Sequence, residues 1–199
     1  MTEKIVLASN NPGKIAEIQS MLTGRGMEIL PQSVFVDFEA EETGLSFLEN
    51  AILKARHAAH WSGLAAIADD SGLEVDALGG APGVFSARYA GAGASDRANN
   101  AKLLRDLAGI PDERRTARFR CVMVYLRHAD DPDPLIGQGV WEGRILQAPR
   151  GTGGFGYDPL FYVPETHCAS AELAPEEKNR RSHRGKALRD LVAQLALMA

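Results

Sequence analysis

The segment Ala65-Ala66-Ile67-Ala68-Asp69-Asp70-Ser71-Gly72 is the basis of the predicted architecture. Its short apolar run predicts a buried strand, and two carboxylates, a hydroxyl and a glycine follow it. In open α/β sheets, ligands bind just beyond the carboxyl ends of strands. Adjacent acids there repel each other unless a proton or a cation lies between them, and Mg²⁺ favours carboxylate oxygens together with phosphate and water. A polar turn of Asp, Ser and Gly explains the same residues, so this segment alone leaves both interpretations open.

The chain of 199 residues has the composition of an ordinary globular protein, with 45% apolar and 24% charged residues. This length suits a single domain over residues 1–199. No apolar run approaches the ~18 residues of a membrane span, and the N-terminus has no signal-peptide pattern. The formal net charge of -4 disfavours broad nucleic-acid binding, which needs a basic face. We therefore expect a cytoplasmic protein with no membrane or nucleic-acid partner.

A second strand-to-helix turn is predicted near the N-terminus. The apolar residues 5–8 are followed by Ser9-Asn10-Asn11-Pro12-Gly13-Lys14, and a helical apolar stripe then begins. Asn11 can cap this helix, and Pro12 fits its first turn. Free backbone N–H groups at a helix start attract anions, and Lys14 adds a positive charge, although the spacing of a P-loop is absent. The turn is a candidate phosphate site, with an ordinary capped turn as the alternative.

An acidic cluster at residues 39–42 precedes a second predicted helix. Ser46 and Glu49 have the spacing of a capping box at its start. A solvated loop explains most charge runs, and capping explains Glu49. Glu42 has no such structural role, which makes it a candidate metal ligand. The apolar stripe of the helix predicts that Lys54 lies on its wetter side.

Further strands are predicted from apolar runs. Residues 34–38 predict a short strand. Residues 118–125 alternate in character and predict a long strand, with Leu135–Ile145 as its partner in an antiparallel hairpin. Residues 130–134 hold three acids and two prolines, which predicts a turn between the two strands and not a carboxylate site.

Two features of the C-terminal part point to a bound ligand. In residues 151–159, four glycines surround Phe155 and Tyr157, a pattern suited to a flat ring that stacks on an aromatic face. Such stacking of a base contributes about 1–3 kcal/mol. Near the start of the last predicted helix, where cations are unfavourable for the helix dipole, the sequence places Lys178, His183, Arg184 and Lys186. A bound anion would account for them.

Motifs along the chain resemble the inosine/xanthosine triphosphate pyrophosphatases, enzymes that remove noncanonical purine nucleotides. They are Ser9-Asn10-Asn11-Pro12-Gly13-Lys14, Glu41-Glu42-Thr43-Gly44, Ala68-Asp69-Asp70-Ser71-Gly72-Leu73, Gly79-Gly80-Ala81-Pro82-Gly83, Gly153-Gly154-Phe155-Gly156-Tyr157-Asp158-Pro159 and Ser182-His183-Arg184-Gly185. Each motif is weak alone, but their shared order is highly specific. The resemblance implies an α/β fold with a long, curved mixed β-sheet flanked by helices, and two lobes with a nucleotide cleft between them.

The resemblance also implies a homodimer that uses Mg²⁺ to hydrolyse dITP, ITP and XTP to the monophosphate and pyrophosphate. By position, it implies Glu42 and Asp70 as metal ligands and Asp70 as the catalytic proton acceptor. It implies that the triphosphate is held by Ser9, Asn10, Asn11, Pro12, Gly13 and Lys14. It implies further nucleotide contacts from Ser71, Phe155, Gly156, Tyr157, Asp158, Lys178, His183 and Arg184.

Some of the chemistry stays open at this level. A metal lowers the pKa of a carboxylate that binds it, so Asp70 is a poor base while it is a ligand, and Asp69 or a second metal could divide the work. Donors from Arg184 or His183 to the 6-oxygen of the base would disfavour ATP, since an unpaired buried polar group costs about 1–3 kcal/mol. GTP carries the same oxygen and is not excluded. The alternative functions are a pyrophosphatase for other modified or pyrimidine nucleotides, and a non-catalytic nucleotide sensor.

Overall fold

The computed structural model describes residues 3–22, 24 and 26–197. Within these residues the strands are β1 (Glu3–Leu7), β2 (Met27–Pro31), β3 (Ala65–Val75), β4 (Thr116–Leu126), β5 (Leu135–Ile145), β6 (Phe161–Val163) and β7 (Cys168–Ala169). They form one sheet in the order β2-β1-β3-β4-β5-β6-β7. The strand β1 runs parallel to β2 and β3, whereas β6 is antiparallel to β5 and β7. The predicted mixed α/β sheet is confirmed.

The described helices are α1 (Pro12–Leu22), α2 (Phe47–Ser62), α3 (Asp96–Asp106), α4 (Pro175–Arg181) and α5 (His183–Ala196). Two predicted helix starts are confirmed by their contacts. The side chain of Asn11 accepts a hydrogen bond from Lys14 N at 3.1 Å. Ser46 Oγ accepts one from Glu49 N at 3.2 Å, and the Glu49 carboxylate accepts from the Ser46 hydroxyl and from Leu45 N. Local side-chain caps therefore decide where α1 and α2 begin.

The strand predicted over residues 34–38 is wrong. The chain leaves the sheet at Pro31, whose ring nitrogen has no hydrogen to donate, and a 3₁₀ turn follows at Gln32–Val34. Val34 and Phe38 are 64% and 50% exposed and Val36 is buried, so much of the apolar character of this segment lies at the surface and not in a buried strand.

Contacts divide the chain into two compact units. The first takes the described residues of Met1–Asp70, Cys121–Gly139 and Arg184–Ala199, and the second takes Ser71–Arg120 and Val140–His183. Each unit has its own apolar core. The core of the first includes Ile5, Leu7, Ile18, Leu22, Ile67, Met123 and Leu191. The core of the second includes Leu73, Leu103, Leu107, Phe119, Trp141, Tyr157 and Phe161.

The single domain predicted over residues 1–199 stays a prediction. In the part of the chain that the structure describes, no helix combines the length and the apolar character that crossing a membrane requires.

Candidate active site

Asp69 and Asp70 lie inside β3, and not beyond its end as the sequence predicted. The parallel ladder explains the difference. Leu7 of β1 pairs with Ile67, and Ala8 N donates a hydrogen bond to the carbonyl of Ile67 at 2.8 Å. The two acids therefore follow the point where the parallel pairing with β1 ends. Because successive side chains of a strand alternate between its faces, these neighbouring acids enter different surroundings.

Asp69 is held by cations on one side of β3. Its side chain is completely buried, and Asp69 Oδ2 lies 3.1 Å from Lys14 Nζ and 3.3 Å from Arg184 Nε. Arg184 Nη1 also lies 2.5 Å from Glu17 Oε2. Burial alone would raise the pKa of Asp69, but the charges of Lys14, Arg184 and Lys54 outweigh it and hold this pKa well below its usual range. Asp69 is an ionised anchor for the lysine at the start of α1.

Asp70 shares a cation with Glu42. Lys54 Nζ lies 2.8 Å from Asp70 Oδ1 and 2.9 Å from Glu42 Oε1. Burial of Asp70 outweighs this ion pair and raises the pKa of its carboxyl group. Burial would lower the pKa of Lys54, but the attraction of Asp70, Asp69 and Glu42 dominates and raises it. The ammonium group of Lys54 is therefore a permanent charge between two acids.

Lys54 is a site residue that the sequence interpretation placed on the wetter side of its helix. The structure buries most of its side chain, of which 13% is exposed. Asn50, Ala51, Ala55 and Ala58 form the buried face of α2. Lys54 follows Asn50 by one helical turn and precedes Ala58 by one turn, so it belongs to that face. The spacing of Lys54 from Asn50 and Ala58 could have indicated its place on the buried face. It was overlooked because lysine is a charged residue that usually lies at the surface.

The two predicted metal ligands are brought together. Glu42 and Asp70 present oxygens within hydrogen-bond distance of the same nitrogen atom, so they converge on one cation. Across the described residues there is no group of three or more His, Cys, Asp or Glu arranged to hold a metal ion. Mg²⁺ commonly takes one or two carboxylates and completes its shell with phosphate and water. A pair of converging acids fits that requirement, with Lys54 as the neighbouring charge.

The N-terminal turn behaves as a capped helix start. Ser9 is buried, and its hydroxyl accepts a hydrogen bond from Asn11 N at 3.2 Å. Asn10, Asn11 and Pro12 are exposed. Lys14 reaches from this turn to Asp69. Phosphate binding by residues 9–14 stays a prediction.

In the second unit, Asp158 organises the glycine-rich loop. Its Oδ2 accepts from Phe155 N at 2.9 Å and from Lys178 Nζ at 2.8 Å, and its Oδ1 accepts from the Ser170 hydroxyl at 2.9 Å. A Cβ at Gly154 would lie 2.1 Å from Asp158 Oδ2, so the loop approaches this carboxylate too closely for a side chain. The loop is folded around one buried acid.

The two aromatic residues of that loop have different surroundings. Phe155 is half-buried, and Lys178 Nζ lies 4.8 Å from the centroid of its ring. Tyr157 is buried in the core of the second unit, where its hydroxyl donates to the carbonyl of Ser86 at 2.7 Å. Gly156 N donates to Asp96. Phe155 is thus the aromatic face that the loop presents, and the substrate contacts of Gly156 and Tyr157 stay predictions.

The cations predicted near the last helix have carboxylate partners within this chain. Lys178 pairs with Asp158, and Arg184 pairs with Asp69 and Glu17. His183 is buried, and its ring stacks on Phe119 with 4.7 Å between centroids. The sequence predicted a bound anion beside these cations. In this structure, Lys178 and Arg184 are instead paired with carboxylates of the protein. Ser71 follows Asp70 in β3, and its substrate contact also stays a prediction.

The fold and the site together define a class of α/β protein in which two acids of one central strand are paired with lysines from the helices beside it. The chain belongs to the Ham1 family, whose model matches residues 5–194. The resemblance inferred from the sequence motifs is confirmed.

Relatives and solved structures agree with this assignment. The chain is similar to a dITP/XTP pyrophosphatase of Thioalkalivibrio sulfidiphilus, with 63% identity over 192 residues that cover 96% of this chain and 98% of the relative. It is similar to another of Methylococcus capsulatus, with 60% identity over 195 residues that cover 98% and 97%. The structure of a HAM1 protein from Coxiella burnetii superposes with a TM-score of 0.90 at 52% identity, covering 98% of each chain.

Proposed function

We propose that this protein hydrolyses noncanonical purine nucleoside triphosphates, namely dITP, ITP and XTP, to the monophosphate and pyrophosphate. The family and the relatives named dITP/XTP pyrophosphatase support the substrate class. The observation in this chain that supports the chemistry best is the convergence of Glu42 and Asp70 on one cation. A triphosphate carries several negative charges, and a site that hydrolyses it has to neutralise them.

Mg²⁺ is part of this proposal, with Glu42 and Asp70 as the residues that would hold it. When bound, Mg²⁺ neutralises phosphate charge and lowers the pKa of coordinated water. The two carboxylates supply the hard oxygen ligands that this ion prefers. The homodimer implied by the family resemblance and the cytoplasmic location expected from the sequence belong to the same proposal.

The division of work between the two acids follows from their surroundings. A general base works best when its pKa is near the operating pH, and burial raises the pKa of Asp70. The pKa of Asp69 is moved in the opposite direction, so this carboxylate is a weak base. A bound metal lowers the pKa of a carboxylate ligand, so the raised pKa favours Asp70 as a base only while it does not bind the metal. We therefore assign proton acceptance to Asp70 in that state and the positioning of Lys14 to Asp69. Lys14 would meet the phosphates at the start of α1, where backbone N–H groups also favour an anion.

Product analysis with ITP and Mg²⁺ tests the reaction. We expect IMP and pyrophosphate, whereas IDP and orthophosphate would indicate attack at another phosphorus and would contradict the proposal. Parallel rates on dITP, XTP and dTTP test the substrate class, and a preference for dTTP would favour a pyrimidine enzyme. The Asp70→Asn variant keeps the shape of the side chain, so we expect it to fold but to lose most of the turnover. An unchanged kcat in that variant would remove Asp70 from the mechanism.

A further inference from the structure

Asn50 is a completely buried polar residue of α2, one helical turn before Lys54. Its Oδ1 accepts a hydrogen bond from Gly44 N at 2.8 Å, and its Nδ2 donates to Asp70 Oδ2 at 3.4 Å. A backbone N–H can only donate, so the oxygen of the amide has to face Gly44 and the NH₂ group has to face Asp70. The orientation of this side chain is therefore fixed by its first partner.

The Gly44 contact ties down the loop that carries Glu42. A Cβ at Gly44 would lie 2.7 Å from Asn50 Oδ1 and 2.6 Å from Glu49 Cβ, so only glycine lets the loop come this close to α2. Glu42 is two residues before this contact. The position of its carboxylate is consequently coupled to the side chain of Asn50.

The two carboxylate oxygens of Asp70 have different partners. Asn50 engages Oδ2, whereas Oδ1 faces Lys54 and lies on the side that Glu42 shares. The side-chain amide of Asn50 thus contacts Asp70 directly. It also binds the backbone of the loop that carries Glu42, at Gly44. Residues that orient metal ligands in this way commonly affect metal affinity about 10–100-fold.

We propose that Asn50 is a positioning residue that holds Glu42 and Asp70 at the separation required for one divalent cation. Asn50 contacts neither the cation nor the nucleotide in this role. The inference rests on the proposed function, because it assigns Asn50 to the metal pair of that reaction.

The chain offers a matched control. Asn99 of α3 is also buried, its Oδ1 accepts from Ala90 N at 2.8 Å, and its Nδ2 donates to the carbonyl of Ala87 at 3.1 Å. In both asparagines, Oδ1 accepts a hydrogen bond from a backbone N–H and Nδ2 donates one to an oxygen. The second partner of Asn99 is a carbonyl and not a carboxylate. Substitution of either residue removes comparable hydrogen bonds, but only Asn50 touches the acid pair.

The experiment compares Asn50→Leu with Asn99→Leu in the full chain. The readouts are Mn²⁺ binding by electron paramagnetic resonance without nucleotide, the Mg²⁺ concentration that half-saturates dITP hydrolysis, and the thermal midpoint. We expect Asn50→Leu to weaken both metal constants about 10–100-fold while saturating Mg²⁺ restores most of kcat and leaves the KM for dITP unchanged. We expect Asn99→Leu to lower the thermal midpoint with unchanged metal constants. The pair Asn50→Ala and Asn99→Ala replaces any leucine variant that fails to fold.

Metal constants of a folded Asn50 variant that equal those of wild type would overturn the inference, as would an equal shift in the matched Asn99 variant. The wild-type protein separates this result from a failure of the proposed function. If wild type neither binds Mn²⁺ nor needs Mg²⁺ for hydrolysis, the metal proposal itself fails. If wild type shows both properties and the Asn50 variants match it, only the role of Asn50 is lost.

Discussion

At the scale of single residues, two adjacent aspartates acquire opposite properties. Asp69 and Asp70 share a strand and a chemistry, yet their pKa values are moved in opposite directions. The cause is the alternation of side chains along β3, which directs Asp69 to Lys14 and Arg184 and Asp70 to Lys54. The charges of Lys14, Arg184 and Lys54 together overcome the effect of burial on the pKa of Asp69, whereas the charges of Lys54 and Lys14 do not overcome it at Asp70. A pair that looks redundant in the sequence thus has one carboxylate with a lowered pKa and one with a raised pKa.

The anchor role predicts that Asp69→Asn acts mainly on stability. The substitution leaves the half-buried Lys14 and the buried Arg184 without their shared carboxylate, although Arg184 keeps Glu17 as a partner. Breaking a buried ion pair from one side costs about 3–5 kcal/mol, and we expect a loss of this size in urea unfolding. A variant with wild-type stability and no activity would instead place Asp69 in the chemistry.

The position of Lys54 between Glu42 and Asp70 predicts that the loss of its charge increases the stabilisation of the protein by Mg²⁺. In Lys54→Met the apolar stem is kept and the ammonium group between Glu42 and Asp70 is lost, so the two acids repel each other more strongly. A cation that binds only the folded protein stabilises it. This stabilisation should be larger in the variant, because the ammonium group of Lys54 no longer offsets the repulsion between the two acids. We expect Mg²⁺ to raise the thermal midpoint of Lys54→Met more than that of wild type.

The control for this measurement is Lys102→Met, which removes an ion pair with Asp106 in the second unit. We expect Mg²⁺ to act on Lys102→Met as it acts on wild type. An identical Mg²⁺ effect in wild type and Lys54→Met would contradict the assignment of Glu42 and Asp70 as the metal pair.

At the scale of elements, the acid-rich turn between β4 and β5 is structural, as the sequence indicated. Asp131 is 1% exposed and accepts hydrogen bonds from the backbone and the guanidinium of Arg127 and from Asp133 N. These donors hold the pKa of Asp131 well below its usual range. The turn is therefore built around one ionised carboxylate.

This turn predicts a pH-dependent loss of stability in Asp131→Asn. The folded pKa of Asp131 lies below its unfolded value of ~3.9, so its stabilising contribution is present above that pH and disappears as the pH falls. We expect Asp131→Asn to cost about 1–2 kcal/mol at neutral pH and progressively less in strong acid. Urea unfolding at pH values on both sides of this range measures the difference. The exposed Asp130→Asn is the control, and a cost of Asp131→Asn that stays constant with pH would contradict the prediction.

The elements also show what could be predicted from sequence. The starts of α1 and α2 depend on residues three apart in the chain, so Asn11 and Ser46 were recognisable as caps. The partners of Lys54 lie 12 and 16 residues away, and no local pattern connects them. The segment 34–38 was misassigned because apolar residues on a surface resemble those of a buried strand. Long-range pairing and surface exposure are set by the fold, and they account for the part of the site that local patterns did not predict.

At the scale of the whole molecule, chain connectivity links the two units. The first unit is assembled from three stretches of chain and the second from two. The strands β3, β4 and β5 each continue from one unit into the other, at residues 70–71, 120–121 and 139–140. Neither unit can therefore be separated as one continuous piece of chain. Unfolding of either core would therefore disrupt β3, β4 and β5, which contribute residues to both units.

This connectivity predicts that the chain unfolds in a single transition. Leu22 belongs to the first core and Leu103 to the second, and both side chains are buried. Truncation of a buried leucine costs about 2–5 kcal/mol, so Leu22→Ala and Leu103→Ala should each lower the midpoint of one calorimetric transition. The 91% exposed Leu45 offers a control, Leu45→Ala, with little expected change. Two separate transitions, of which each substitution moves only one, would mean that the continuous strands do not couple the cores.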